Sequence, residues 1–504
     1  MSVPETRSAT PALVGSAASL LLLALVASVP ASPFLPELPA GVAPGGPVAW
    51  LADSIGLDAL HGNALVALGL AAAALGAAAF LLLLREAWRG RIAMRTVLVL
   101  TVAAHTVVLL IPVVLSRDVY SYIANGRILG LYGANPYVAT PIGFPGDPIL
   151  ALVGHKWVDT PSVYGPLFTG LSGVLARGIR SIPALVTTFR VIAAAASLGT
   201  VALIATTVRR ELPARAAFAV AVFGLNPVIL FQSVGGGHND LLLALGVAAA
   251  FALVLADRTL LAVVVLTLAT LVKASAALPL LLLIVWVVAR RPEGQRVRAA
   301  LAHGGLAAAI GLVVAAPFLQ TSDPSLGMLE LAGHEGWLAP SRLARRFLDF
   351  VSFDTLGVVA RIGFAATLAI CVVALARRVW RSPSIPELGA AWAWSLILLM
   401  LLGPVLLPWY VAWSLPLAWL LPRVPRTVLI GTGVALALSQ WTTEPTVYPG
   451  AYDANVLIGH YVLTPLVLAG TVWLLLDLRR RIRDGLSLGA EQEQEQVPTA
   501  SGHG

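Results

Sequence analysis

Charge is what this 504-residue chain has least of: Asp, Glu, Lys and Arg make up 12% of it, against roughly a quarter in an ordinary soluble domain. With 58% hydrophobic residues and a mean hydropathy of +0.87, it cannot clothe itself in a hydrated surface, which excludes a soluble globular or fibrous protein. Cysteine is represented by Cys371 alone, inside an apolar run, so no intrachain disulfide framework exists. Lysine is nearly absent too, Lys156 and Lys273 being the only two. The net charge of +8 is scattered between apolar runs rather than gathered on one segment, so no nucleic-acid partner is expected. A Walker loop, a strand-borne GxGxxG, HExxH and GxSxG are all missing.

Present instead are apolar runs of spanning or near-spanning length at 12–29, 63–84, 96–115, 184–208, 216–233, 241–255, 259–272, 275–289, 299–318, 356–376, 390–407, 408–422, 427–440 and 457–476. They predict an all-α polytopic membrane protein of about 14 transmembrane helices. The piece from Tyr164 to Ile179 is either a further span or a helix at the interface. Charge decides between these, because cytoplasmic loops collect Arg and Lys. If the piece does not cross, 22 of the 33 basic residues fall on one side, so both termini are expected in the cytoplasm. The first run also reads as a cleavable signal peptide. This orientation assigns two long loops, 116–183 and 319–355, to the outer face, within one transmembrane domain over 1–484. Residues 485–504, with EQEQEQ and a Ser/Gly end, read as a disordered cytoplasmic tail.

Residues with chemical potential lie mainly on the outer side. Asp118 directly follows an apolar run, where an ionisable group is a functional candidate; capping the next helix with Ser116 is the plainer alternative. Tyr120, Tyr122, Asn125, Arg127, Asn135 and Tyr137 follow closely, and Tyr164 lies further on. Such a set suits a sugar phosphate, since Arg binds phosphate bidentately, while tyrosines here equally serve as interfacial anchors. The turn GGGHND brings His238, Asn239 and Asp240 between two spans, with Asp240 a rival to Asp118 as a base or an N-cap for the following helix. No third metal ligand lies near His238 and Asp240 in sequence, so no metal site is assigned. Lys273 interrupts a long apolar stretch and is expected to hold a lipid phosphate, or else to snorkel at a tight turn. Trp409 and Tyr410, at a junction between runs, complete the candidate pocket. His105 and His303 are expected to be hydrogen-bonded core residues. A transporter or lipid flippase is the competing class, but the chain shows neither an internal repeat nor a midplane carboxylate. The inner loops are too short for a nucleotide fold, which favours a lipid-linked donor.

The segments DVYSYIANGRILGLYGANPYV, SVYGPLF, GGGHNDLLLALGV, TLVKASA and LLPWYVAW, in that order from Asp118 to Trp413, resemble the actinobacterial polyprenol-phosphate-mannose-dependent α-(1→6)-mannopyranosyltransferases (MptA/MptB type). These are membrane-embedded GT-C glycosyltransferases. The resemblance implies a GT-C-like bundle with long extracytoplasmic loops and a polyprenyl-phosphate-mannose donor. It further implies a lipid-anchored α-(1→6)-mannan acceptor, as in lipomannan and lipoarabinomannan assembly, and transfer at the outer face of the cytoplasmic membrane among membrane lipids. It also implies an acidic base in the first outer loop, which maps to Asp118. Arg117 and Val119 flank Asp118, so the adjacent acidic pair of other such enzymes is missing. No cofactor is expected, and divalent-metal dependence stays open. Arabinose or glucose from its polyprenyl phosphate is the alternative donor sugar.

Overall fold

The structure is a computed structural model and describes residues 9–36, 48–320, 326–327, 336, 338–349, 354–439, 442 and 447–490. Among these, regular structure is helical throughout, with no strand. The first half contains α1 (Thr10–Ala27), α2 (Ala49–Ser54), α3 (Gly62–Trp88), α4 (Met94–Leu110), α5 (Asp118–Gly130), α6 (Pro166–Gly178), α7 (Ile182–Glu211), α8 (Ala216–Gly224) and α9 (Asp240–Leu255). The second contains α10 (Thr259–Thr270), α11 (Ala277–Ala289), α12 (Arg296–Ala315), α13 (Pro340–Asp349), α14 (Asp354–Arg381), α15 (Ile385–Leu402), α16 (Arg423–Ala437), α17 (Pro449–Ile458) and α18 (Thr464–Arg483). Eight helical stretches are long and apolar enough to cross a membrane, and four shorter apolar helices accompany them. The chain is therefore a polytopic helical membrane protein. About half of the expected outer loop 319–355 lies outside the described residues.

Burial explains the arrangement. A helix apolar all round must be buried or lipid-facing, and this chain uses both solutions. Helices α8 and α15 are almost wholly enclosed, with Phe223, Trp392 and Trp394 inaccessible, while α12 and α14 leave most of their surface outward. Small residues let backbones approach. A Cβ on Gly126 of α5 would lie 2.4 Å from the Ser172 carbonyl of α6, and one on Gly130 2.3 Å from that of Gly173. At 13 residues, α6 rises only about 20 Å, too short to span alone.

Two expected runs differ from continuous helix. The run at 216–233 breaks after Gly224, where Asn226 and Pro227 intervene before a π-helical stretch, Val228–Val234. The run at 408–422 is not an α-helix but two 3₁₀ segments, Pro408–Trp413 and Leu415–Leu420, fully buried. Pro408, Pro416 and Pro422 each lack an amide donor, and their neighbours are apolar because they fill the core. The segment still traverses the bundle: Trp409 packs on His238 at one end, and the Ala490 N–H donates to the Leu420 carbonyl at the other.

That second end carries the arginines. The Trp88 ring is sandwiched between Arg215, 3.4 Å from its centroid, and Arg426, 4.2 Å away. Beside it, the first residues of the expected disordered tail are in fact docked. Leu488 is fully buried, its N–H and the Ser487 hydroxyl donate to Glu387 Oε2, and Arg378 donates to Glu387 Oε1 at 2.6 Å. The tail reading failed there because burying Leu488 and satisfying Glu387 offset the cost of ordering Gly485–Ala490. Residues 491–504 lie outside the described residues.

Candidate active site

Four chain segments deliver polar groups to the end of the bundle opposite those arginines. Asp118 is the first residue of α5 and Asp240 the first of α9, but neither caps its helix with its side chain. Helix α9 runs from Asp240 away toward Arg258, and Lys273 follows α10 on its return. The link Pro408–Trp413 supplies three aromatic rings. The start of α6 fixes the Lys273 strand: the Gly165 N–H donates to the Val272 carbonyl and the Leu167 N–H to that of Leu271.

The two carboxylates differ sharply. Asp240 is wholly buried, and its Oδ1 accepts from Lys273 Nζ at 2.7 Å and Trp413 Nε1 at 2.6 Å. Lys273 also lies 4.6 Å from the Tyr410 ring centroid, and Tyr410 stacks on Trp413 at 4.1 Å. Asp118 keeps 23% of its side chain exposed, and its Oδ2 lies 3.4 Å from His238 Nδ1. That distance is long for a strong hydrogen bond but short for Coulomb attraction. Burial pushes the Asp118 carboxyl up, yet the His238 ring, the Lys273 ammonium and Ser116 outweigh it and hold it below the usual carboxylate value. A carboxylate so placed stays ionised and has a free edge.

His238 is held from both faces of the chain. Its ring stacks on Trp409 with centroids 3.6 Å apart. Gly237 adopts φ +71°, a left-handed conformation that glycine takes without strain. A Cβ on Gly236 would lie 2.8 Å from the His238 ring, so the triple glycine lets the backbone fold tightly against the imidazole. Asn239 leaves both amide atoms buried without a partner, as do Asn125 Oδ1, Ser121 Oγ and Ser414 Oγ among the described residues. Buried polar atoms normally find partners, and the Asn239 amide, next in sequence to His238 and Asp240, is free to engage a polar ligand. Tyr122 accepts from the Asn239 N–H at 3.5 Å and packs edge-on against Tyr164 at 4.7 Å.

The structure thus brings together Asp118, Tyr122, Tyr164, His238, Asn239, Asp240, Lys273, Trp409 and Tyr410. It gives Arg127, Asn135 and Tyr137 other employment. The Arg127 Nε donates to both Asp147 oxygens at 2.8 and 2.9 Å, so its charge is paired with a buried carboxylate. Asn135 donates to the Phe318 carbonyl, and the Tyr137 hydroxyl donates to the Tyr164 carbonyl at 2.6 Å; both clamp the loop that follows α5. Tyr120 is buried, with no polar contact that bears on the cluster. Among the described residues no three His, Cys, Asp or Glu side chains gather as a metal site.

Three functional neighbours escaped the sequence reading. Trp413 lies in the LLPWYVAW segment but was not singled out. Asp147, within FPGDP, was not weighed at all. Arg190, a charge inside an apolar run, carried the signal that an intramembrane cation is rarely idle. Its guanidinium donates to the Val108 and Ile111 carbonyls at 2.6 and 2.7 Å, closing the end of α4 just ahead of Asp118.

Comparison with known proteins adds an independent line. A family model described as "Alpha-(1->6)-mannopyranosyltransferase, N-terminal domain" matches residues 12–290, which hold Asp118, His238, Asp240 and Lys273. Alpha-(1->6)-mannopyranosyltransferase A of Mycobacterium tuberculosis is 28% identical over 396 residues, 75% of each chain. The protein of the same name from Corynebacterium glutamicum is 27% identical over 327 residues, 59% of this chain and 65% of its own.

Proposed function

The chain belongs to the MptA/MptB family of α-(1→6)-mannopyranosyltransferases, and from that premise we propose that it transfers mannose from polyprenyl-phosphate-mannose to a lipid-anchored α-(1→6)-mannan on the outer face of the cytoplasmic membrane. It is a membrane-embedded glycosyltransferase. The observation that carries the mechanism is the split between the two carboxylates. Asp240 is sealed against Lys273 and Trp413, whereas Asp118 is ionised and open on one edge. Environments that separate two acids assign them different roles.

In this reading Asp118 accepts the proton of the acceptor 6-hydroxyl as that oxygen attacks the anomeric carbon. The bond from that carbon to the phosphate oxygen breaks, and the electron pair leaves with polyprenyl phosphate. A single displacement at a β-linked donor gives the α-linkage with inversion. The leaving phosphate is already ionised, so it needs positive charge rather than a proton. Lys273 is the cation at the cluster. Asp240 engages one of its N–H groups and aims the remaining donors. His238 holds Asp118 ionised, and Asn239 offers both its donor and its acceptor to sugar hydroxyls.

The test is radiolabelled mannose transfer from synthetic polyprenyl-phosphate-mannose to a short α-(1→6) mannoside, in membranes carrying wild type, Asp118→Asn or Asp240→Asn. A positioned general base contributes about 10²- to 10⁴-fold, so Asp118→Asn should lose turnover by that factor while still inserting. Retained turnover in Asp118→Asn would overturn the assignment. Transfer from the arabinose or glucose lipid in place of mannose would correct the donor and keep the base.

A further inference from the structure

A cavity of about 310 Å³ lies between α1, α3 and α4 and the stretch just ahead of the GGGHND turn. Leu20, Leu23, Phe80, Leu83, Val107 and Phe231 make its walls almost wholly apolar. Interiors are otherwise close-packed, so an unfilled apolar space of this size inside a bundle is a binding feature. Leu21, one of its lining residues, is half exposed, as are the outward-facing Val14, Leu75, Leu81 and Val99 of the same helices.

Its other end meets the candidate active site. Leu115 and Gln232 both line it. Leu115 stands three positions before Asp118, within about 11 Å of extended chain. The Gly236 N–H donates to the Gln232 carbonyl and the His238 N–H to that of Ser233, tying the cavity wall to the imidazole within one turn. Two local features mark this junction. Leu115 adopts φ +62°, a strained conformation for a bulky residue and one that clusters at ligand sites; its N–H donates to the carbonyl of Phe34, itself a lining residue. Gln232 is 2% exposed, and its Oε1 has no partner among the described residues, which places an acceptor where the apolar lining ends.

We infer that this cavity takes the prenyl chain of the lipid-phosphate donor, with its polar end entering the cluster of Asp118, His238 and Lys273, Gln232 near that end, and the chain leaving past Leu21 into the bilayer. The inference rests on the donor class proposed above. Continuity with the cluster selects the occupant: a chain whose polar end is the reacting sugar phosphate must terminate at the cluster, whereas the acyl chains of a bulk phospholipid have no reason to.

The test uses the full-length protein in nanodiscs and a polyprenyl phosphate that carries a diazirine on its chain and no sugar. Cross-links should map to α1, α3 and α4 and be displaced by unlabelled polyprenyl phosphate but not by phosphatidylglycerol. Ala73→Phe, filling the cavity, and Ala103→Phe, at its exposed mouth, should each weaken labelling. Both should raise the KM for a long-chain donor about tenfold while leaving that for a two-isoprene donor unchanged. Equal displacement by phosphatidylglycerol, labelling elsewhere, or equal effects on both donors would overturn the inference. Specific labelling without mannosyl transfer would uphold the prenyl site and overturn the mannose-donor reading instead.

Discussion

Replacing Lys273 by Met separates what the Asp240–Lys273 pair does for the fold from what it does for the reaction. Asp240 has no exposed side-chain surface, so removing the ammonium leaves a carboxylate with only the Trp413 N–H for company. Breaking a buried pair in this way costs about 3–5 kcal/mol, and the surviving hydrogen bond puts Lys273→Met near the lower end, about 3 kcal/mol. The double variant Lys273→Met/Asp240→Asn removes the stranded charge and keeps an acceptor for Trp413, so it should regain most of that stability. Donor affinity should not follow. If Lys273 steadies the departing phosphate, both variants raise the donor KM, because neither keeps the Lys273 ammonium. The assays are chemical unfolding in detergent and initial rates against donor concentration. A double variant that recovers KM together with stability would refute the phosphate role and leave Lys273 as a structural partner of Asp240. Unchanged stability in Lys273→Met would refute the buried pair itself.

His238→Gln should shift the acid limb of the pH–rate profile to higher pH. The ionised form of Asp118 is the active one, so activity is present above its pKa and lost as pH falls through it. Removing the ring deletes the leading influence that lowers this pKa and leaves burial, which raises it; an unmoved limb would show that the ring does not hold Asp118 ionised. Gly236→Ala should cut turnover at unchanged expression, because the added methyl meets the His238 ring at 2.8 Å and the Gln232 carbonyl at 2.6 Å, and the stack on Trp409 leaves the ring little room to yield; wild-type rates would disprove the tight fit. Arg127→Met should lose about 3 kcal/mol by stranding buried Asp147 with the donor KM of the folded fraction intact, and a raised KM would return Arg127 to the phosphate.

Much of the fold was legible because apolar run length is a one-dimensional property. Most runs read from the sequence coincide with helices, and the short segment from Tyr164 to Ile179 became the 13-residue α6. The exceptions have local causes that hydropathy does not weigh. Prolines turned 408–422 into 3₁₀ structure, and the Asn226-Pro227 pair split the run at 216–233. Hydropathy also cannot tell lipid from protein as the surroundings of an apolar residue, which is why the enclosed α15 and the outward-facing α14 read alike. His105 and His303 were legible for the same local reason: each bonds the carbonyl four residues back and one distant hydroxyl.

The site was legible as a set of positions but not as a set of partnerships. Asp118, His238, Asp240 and Lys273 stand out because each interrupts or ends an apolar run, where an ionisable group is costly without a reason. Which of them neutralises which depends on folding across 33 residues for Asp240 with Lys273 and 173 for Asp240 with Trp413, and no spacing in the chain encodes that. The same blindness grouped Arg127 with the candidate pocket on charge type, because nothing in the spacing pairs it with Asp147, 20 residues on. Once the pairings are drawn, the two candidate bases stand in different surroundings. Asp240 already gives its Oδ1 to a lysine and an indole, whereas Asp118 faces a single imidazole and keeps an edge open, which is the difference on which the proposed base assignment rests.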